Sequence, residues 1–136
     1  MTNLALLPGH HAFCRLEPAA GLPGWAMAGA FCSVTRTAEE LSIVCPEDAV
    51  PAGVRCEGGW RLLRVEGTLE MGLVGIMAAL TAPLAQAGIS LMAIATFDTD
   101  YLLVREATLG RALAALRGAG HGVAGEDGVE APAGGG

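Results

Sequence analysis

The sequence predicts an α+β fold built as two small modules, on three observations. Short apolar runs with period-two alternation recur along the chain, two longer segments carry apolar residues at helical spacing, and Gly, Pro or Asp punctuates the junctions. With 136 residues, 52% hydrophobic and 16% charged, the chain can bury a core in one unit, or in two small ones that share it. Many apolar residues are Ala and 20 residues are Gly, which suits close packing of helix on sheet.

Taken in order, Leu4–Leu7 and Ala12–Glu17 read as strands around the turn signal Pro8-Gly9. Pro18–Pro23 is a loop, and Gly24–Gly29 holds at most one irregular turn. Ala30–Arg36 alternates as a half-buried strand should, Thr37–Glu40 turns it, and Leu41–Cys45 returns. Pro46–Val50 suits one helical turn, because Pro fits early and the acids favour the positive helix start. Trp60–Glu66 is the next strand.

Beyond it, Leu73, Ile76, Met77, Leu80, Leu84 and Ala87 form a helical stripe ending at Gly88. Pro83 removes one hydrogen bond of that helix, so a bend or a shifted turn is expected there. Ile89–Phe97 and Asp100–Arg105 are strands joined at Asp98-Thr99. Thr108 caps a helix through Ala119 with Leu109, Leu113 and Leu116 on one face. His121–Ala124 then forms a closing edge strand.

The second half thus reads β-α-β-β-α-β, the split arrangement of ferredoxin-like domains, and the first half repeats the order with its first helix reduced. The expected organisation is a module over residues 1–60, a second over 61–125, and a disordered Gly/Ala/Pro-rich tail over 126–136. Since no linker composition separates the modules, they are expected to interlock, with Trp60–Glu66 able to close one and open the other.

Charge excludes several partners. All eight positive residues are Arg, scattered among 14 carboxylates, and the net charge is −6. A nucleic-acid binder needs clustered cations to neutralise phosphates, so neither nucleic acid nor an acidic membrane is an expected partner. Leu4–Leu7 is too short for the apolar part of a signal peptide, no basic segment precedes it, and no apolar run approaches a membrane span. A cytoplasmic location follows as the expectation.

Cys14, Cys32, Cys45 and Cys56 are widely spaced, with no CxxC pair, and read as free packing thiols. His10-His11 lies beside the Pro-Gly turn without a ligand partner nearby in sequence and is expected in a solvated loop; no metal or cofactor is expected. Arg61 and Arg64 are expected on one face of their strand, in solvent, paired with Glu66 or Glu70, or at a subunit contact. No nucleophile motif appears, so the chain is not expected to be an enzyme. Gly72-x-x-Gly75 lacks the third glycine and the distal acid of a dinucleotide fingerprint.

Four blocks carry more specific information: Phe31–Val44, Arg64–Leu69, Gly75-Ile76 and Ala95–Val104 (ATFDTDYLLV). In this order they resemble a family of small bacterial ACT-domain proteins whose tandem unit occurs, duplicated, in the animal cytosolic arginine sensors called CASTOR. The resemblance covers roughly residues 3–124. It implies tandem ACT modules that are regulatory and non-catalytic, and that bind amino acids or similar metabolites where ACT modules meet.

By that resemblance the ligand lies between the loop opening the first helix of the second module and a strand-end motif. Here these correspond to Met71, Gly72, Leu73, Val74, Gly75 and Ile76, and to Ala95, Thr96, Phe97 and Asp100, with Asp98 in the same turn. Ala95 stands where the family has Ser, and the family's acidic loop position falls on or beside Leu73, so arginine itself is not specified. The resemblance also implies a homodimer with the second modules in contact.

The chemistry of these residues suits a zwitterion. A helix start offers free N–H groups and a positive dipole end to a carboxylate, and Gly72 and Gly75 leave room for close approach. Asp98 or Asp100 can receive an ammonium, Phe97 can wall a side-chain pocket, and Thr96 can add one hydrogen bond. The alternative is a structural or protein-interaction module in which Asp98-Thr99-Asp100 merely turns the chain and the pocket is no longer used.

Overall fold

A computed structural model of the chain describes residues 2–66 and 75–125. Met71, Gly72, Leu73, Val74 and the tail 126–136 lie outside the described residues. Along the chain run β1 (Asn3–Leu6), β2 (His11–Leu16), β3 (Ser33–Arg36), β4 (Leu41–Pro46), β5 (Cys56–Val65), α1 (Ile76–Gln86), β6 (Leu91–Ala95), β7 (Asp100–Arg105), α2 (Leu109–Gly118) and β8 (Gly122–Gly125). Contacts divide the chain into two compact units, residues 9–60 and residues 1–8 with 61–136, so the boundary falls inside β5.

In the unit of residues 9–60, β4 pairs antiparallel with β2 on one side and β3 on the other. The first half of β5 pairs with β2 through Cys14↔Cys56 and Phe13↔Glu57. β5 starts before Trp60 because Cys56–Gly59 lacks apolar alternation and takes its extended form from this pairing, with Gly59 N–H donating to Glu47 Oε1 at 2.6 Å. The core is Ala12, Cys14, Ala26, Leu41, Ile43 and Cys45, all buried. A 3-10 turn, Gly24–Met27, lays Ala26 against this core.

His11 departs from expectation. It belongs to β2 rather than to a solvated loop, is only 5% exposed and meets Phe31 edge-on with ring centroids 5.8 Å apart. The Pro8-Gly9 turn, with Gly9 at φ +80°, ends early enough for the strand to include it.

Burial pushes the Cys14 thiol up to about 12 from its ordinary 9.0, helped by the neighbouring Cys45 and Cys56. The folded state therefore holds this proton more tightly than the unfolded chain. The stability it confers is complete below pH 9 and is lost as pH climbs toward 12. Unfolding midpoints followed from pH 8 upward should fall less steeply in Cys14→Ala than in the wild type.

In the other unit the strand order is β6-β7-β5-β1-β8. β1 runs antiparallel to β5, with Leu4 opposite Val65, and parallel to β8, with Leu4 opposite Val123. The α1 residues Ile76, Met77, Leu80, Leu84 and Ala87 and the α2 residues Leu109, Ala112, Leu113 and Leu116 pack with Leu4, Leu63, Val65, Leu102 and Val104. These are the helical stripes that spacing predicts, with Leu73 outside the described residues. The α+β, ferredoxin-like fold expected from the sequence holds, with β5-α1-β6-β7-α2-β8 as its βαββαβ order.

Both helices end on a left-handed glycine, Gly88 (φ +73°) and Gly120 (φ +94°). In each case the residue after the glycine closes the helix: Ile89 N–H donates to Leu84 O at 2.9 Å, and His121 N–H to Leu116 O at 3.0 Å. The α2 ending thereby sets the place of His121. Its Nε2 lies 3.1 Å from Ala79 O, and its Nδ1 accepts from Thr2 N–H at 3.1 Å. Ala79 is the residue whose carbonyl Pro83, four positions on, cannot serve, so the imidazole supplies the donor that proline lacks. Accordingly α1 stays α-helical from Ile76 to Gln86 across Pro83, without the expected shifted turn.

Arg61 and Arg64 are three apart on a strand, so the period of two sends them to opposite faces rather than to one. Arg61 pairs with Glu106 at 3.1 Å and Arg64 with Glu66 at 3.5 Å. Among the described residues, no helix is long and apolar enough to cross a membrane.

Candidate functional site

β6 and β7 form an antiparallel hairpin whose last pair is Ala95↔Asp100, leaving Thr96–Thr99 as the turn. Thr96 N–H donates to Thr99 O at 2.8 Å. The Thr96 hydroxyl donates to the same carbonyl at 3.0 Å and accepts from Thr99 N–H at 3.3 Å. Its proton is used inside the turn, which leaves Thr96 only spare acceptor capacity.

Thr99 fixes where this turn sits. It is 8% exposed, and its hydroxyl donates to Val65 O, the last carbonyl of β5, at 2.9 Å. The hairpin tip is thus pinned at the point where the chain leaves β5 for α1. In the sequence Thr99 reads as a turn residue and nothing more; the Thr96-x-x-Thr99 spacing is the one signal of the lock.

The hairpin brings Thr96, Phe97, Asp98 and Asp100 together. Phe97 stands at the tip, 81% exposed, so it belongs to no core. Asp98 is exposed, and Asp100 is half-buried at the first position of β7. By alternation Asp100 shares a face with Leu102 and Val104, the residues that pack against the helices. Neither carboxylate has a hydrogen-bond or ion-pair partner among the described residues.

Gly75 and Ile76 open α1. Gly75 is left-handed, φ +82° and ψ −5°, and an added Cβ would meet no atom within 4 Å. The backbone conformation, rather than crowding, is what requires glycine here. Among the described residues, no side chain caps the start of α1. Ile76 is half-buried against the core. Met71, Gly72, Leu73 and Val74, the remaining residues expected at the site, lie in the segment outside the description. Among the described residues, no three His, Cys, Asp or Glu side chains converge as a metal site requires.

Residues 55–118 match the family model of the ACT domain, and residues 9–53 match a second model that describes an N-terminal domain. No curated protein matches the chain. Among solved structures, a protein from Agobacterium tumefaciens is 36% identical over 96% of this chain and 98% of its own, with a TM-score of 0.88. A Vibrio cholerae protein of unknown function, a possible transport protein, is 25% identical over 87% of this chain and 89% of its own, with a TM-score of 0.71. The ligand-free regulatory subunit of aspartate kinase from Thermus thermophilus shares the fold, with a TM-score of 0.62 and 14% identity over 88% of this chain and 97% of its own. ACT domains are regulatory modules that typically bind small effectors. The chain belongs to one family with the Agobacterium tumefaciens protein, and the greater part of its second half is an ACT domain.

Proposed function

We propose that this protein is a non-catalytic, cytoplasmic sensor that binds an amino acid or a similar metabolite. The ligand sits between the start of α1 and the Thr96–Asp100 hairpin end, both within the unit that carries the ACT domain. The observation that carries this reading is the turn locked by Thr96 and tied through Thr99 to Val65 O, with the Asp98 and Asp100 carboxylates left without a partner among the described residues. A carboxylate held in that way suits the ligand's ammonium, and the uncapped helix start suits its carboxylate. The resemblance of its sequence blocks to the arginine sensors favours an α-amino acid without specifying arginine.

A homodimer completes the arrangement, two chains supplying what the duplicated sensors carry in one. β6 supports this: among the described residues it pairs only with β7, and it carries Met92, 44% exposed.

The test is a thermal-shift screen with the twenty amino acids and common metabolites, followed by calorimetric titration of any hit. A ligand at a hundredfold excess over Kd should raise the melting temperature by about 10 °C. Asp100→Asn should erase that rise while moving the unliganded midpoint by no more than about 2 °C. A collapse of the unliganded midpoint would make Asp100 a turn residue and remove its ligand role. Silence from every metabolite at millimolar concentration would favour the interaction-module reading instead.

A further inference from the structure

All four cysteines lie in the unit of residues 9–60, although they are spread over more than forty positions of sequence. Cys14 and Cys45 are buried on the core face of β2 and β4, and Cys32 packs against the same core. Cys56 stands directly opposite Cys14 across the β2–β5 ladder, and it is exposed. The ladder bond beside this pair runs from Arg15 N–H to Arg55 O at 3.0 Å. A bond from the residue after one partner to the residue before the other marks Cys14–Cys56 as a non-hydrogen-bonded pair. Such pairs hold their Cα atoms about 4.5 Å apart with the side chains close, inside the span a disulfide bridges. Cys45 and Cys56 both act on the Cys14 thiol, adding to the burial that raises its pKa.

We propose that Cys14 and Cys56 are a redox-active pair that closes reversibly to a disulfide, with the exposed Cys56 meeting the oxidant. The oxidant class is a low-molecular-weight disulfide. The Cys56 thiolate attacks one of its sulfurs, forming a mixed disulfide and expelling one small thiolate. Cys14 then attacks the Cys56 sulfur, the protein disulfide forms, and the second small thiol leaves. The two protons of the protein thiols end on the two departing thiols, and the two electrons reduce the reagent.

Burial keeps the Cys14 thiol protonated, so the second step is the slower one. Cys45 is also near Cys14, yet its fully buried thiol offers the oxidant no approach. Cys32 is turned to Met27, with Sγ 3.7 Å from Sδ. A reducing compartment keeps the pair open, and an oxidising shift closes it.

Trypsin makes the test clean, because cleavage after Arg15, Arg36, Arg55 and Arg61 places each cysteine in its own peptide. Reduced protein is incubated overnight with millimolar oxidised glutathione at pH 8, then digested without reductant. The expected product is peptide 1–15 joined to peptide 56–61, with an intact mass lower by two hydrogens. Cys56→Ser, a change at an exposed position, should abolish the cross-link, whereas Cys32→Ser should leave its yield unchanged. Glutathione remaining on Cys56 without ring closure, or a link from Cys14 to peptide 16–36 or 37–55, would overturn the assignment.

Discussion

Deleting residues 1–8 is expected to abolish cooperative folding of the unit that holds both helices. β1 is an interior strand of that unit, paired over Leu4–Leu6 with β5 and over Asn3–Leu6 with β8. Its removal strips hydrogen-bond partners from two neighbours at once and leaves β8 with no strand beside it among the described residues. The core also loses Leu4, which is 1% exposed and packs with Leu63, Val65, Leu84 and Val123. Truncating such a leucine alone costs about 2–5 kcal/mol, and the whole domain has only about 5–15 kcal/mol to lose. Near-UV circular dichroism and amide dispersion by NMR should both collapse in the truncated chain, while Leu4→Ala should keep a sharp transition lowered by about 3 kcal/mol. A truncated protein that unfolds as sharply as the full chain would refute the interior role of β1.

His121→Ala is expected to cost about 2–3 kcal/mol, a large effect for a residue that follows a helix. The substitution strips the donor from Ala79 O and the acceptor from Thr2 N–H, and opens space at a site 7% exposed. The cost should depend on Pro83. In a Pro83→Ala background an ordinary amide N–H is present four residues after Ala79, and that carbonyl no longer relies on the imidazole. A double-mutant cycle by urea denaturation should therefore show a coupling of about 1 kcal/mol, with His121→Ala milder when residue 83 is alanine. Strict additivity would mean that the imidazole does not stand in for the missing donor.

Much of this architecture is legible along the chain. The stripes of α1 and α2, the glycines that end them and the hairpins at Thr37–Glu40 and Thr96–Thr99 all follow from local periodicity and turn chemistry. What was not legible comes from partners distant in sequence. Leu4–Leu7 reads as a strand and one is found at Asn3–Leu6, yet nothing local says that it lies between β5 and β8. The start of β5 at Cys56 is set by β2, the burial of His11 by Phe31, and the survival of α1 past Pro83 by His121. At the candidate site, the residue types were legible and the anchoring was not. Thr96, Asp98 and Asp100 stand out as polar residues at a strand end, whereas the bond from Thr99 to Val65 spans 34 positions.

The interior place of β1 also sets an order of events during synthesis. β2, β3 and β4 find their ladder partners within residues 9–60, a contiguous stretch. β1 leaves the ribosome before all of them, but its antiparallel partner ends at Val65 and its parallel partner only at Gly125. At about 5–20 residues per second, β1 waits several seconds for its first neighbour and roughly as long again for its second. Until β5 arrives both edges of this apolar strand are open, and until β8 arrives one still is, free to pair with another nascent copy. Strand exchange through residues 3–6 is thus the characteristic misassembly of this fold, favoured by crowded polysomes and suppressed by dilution.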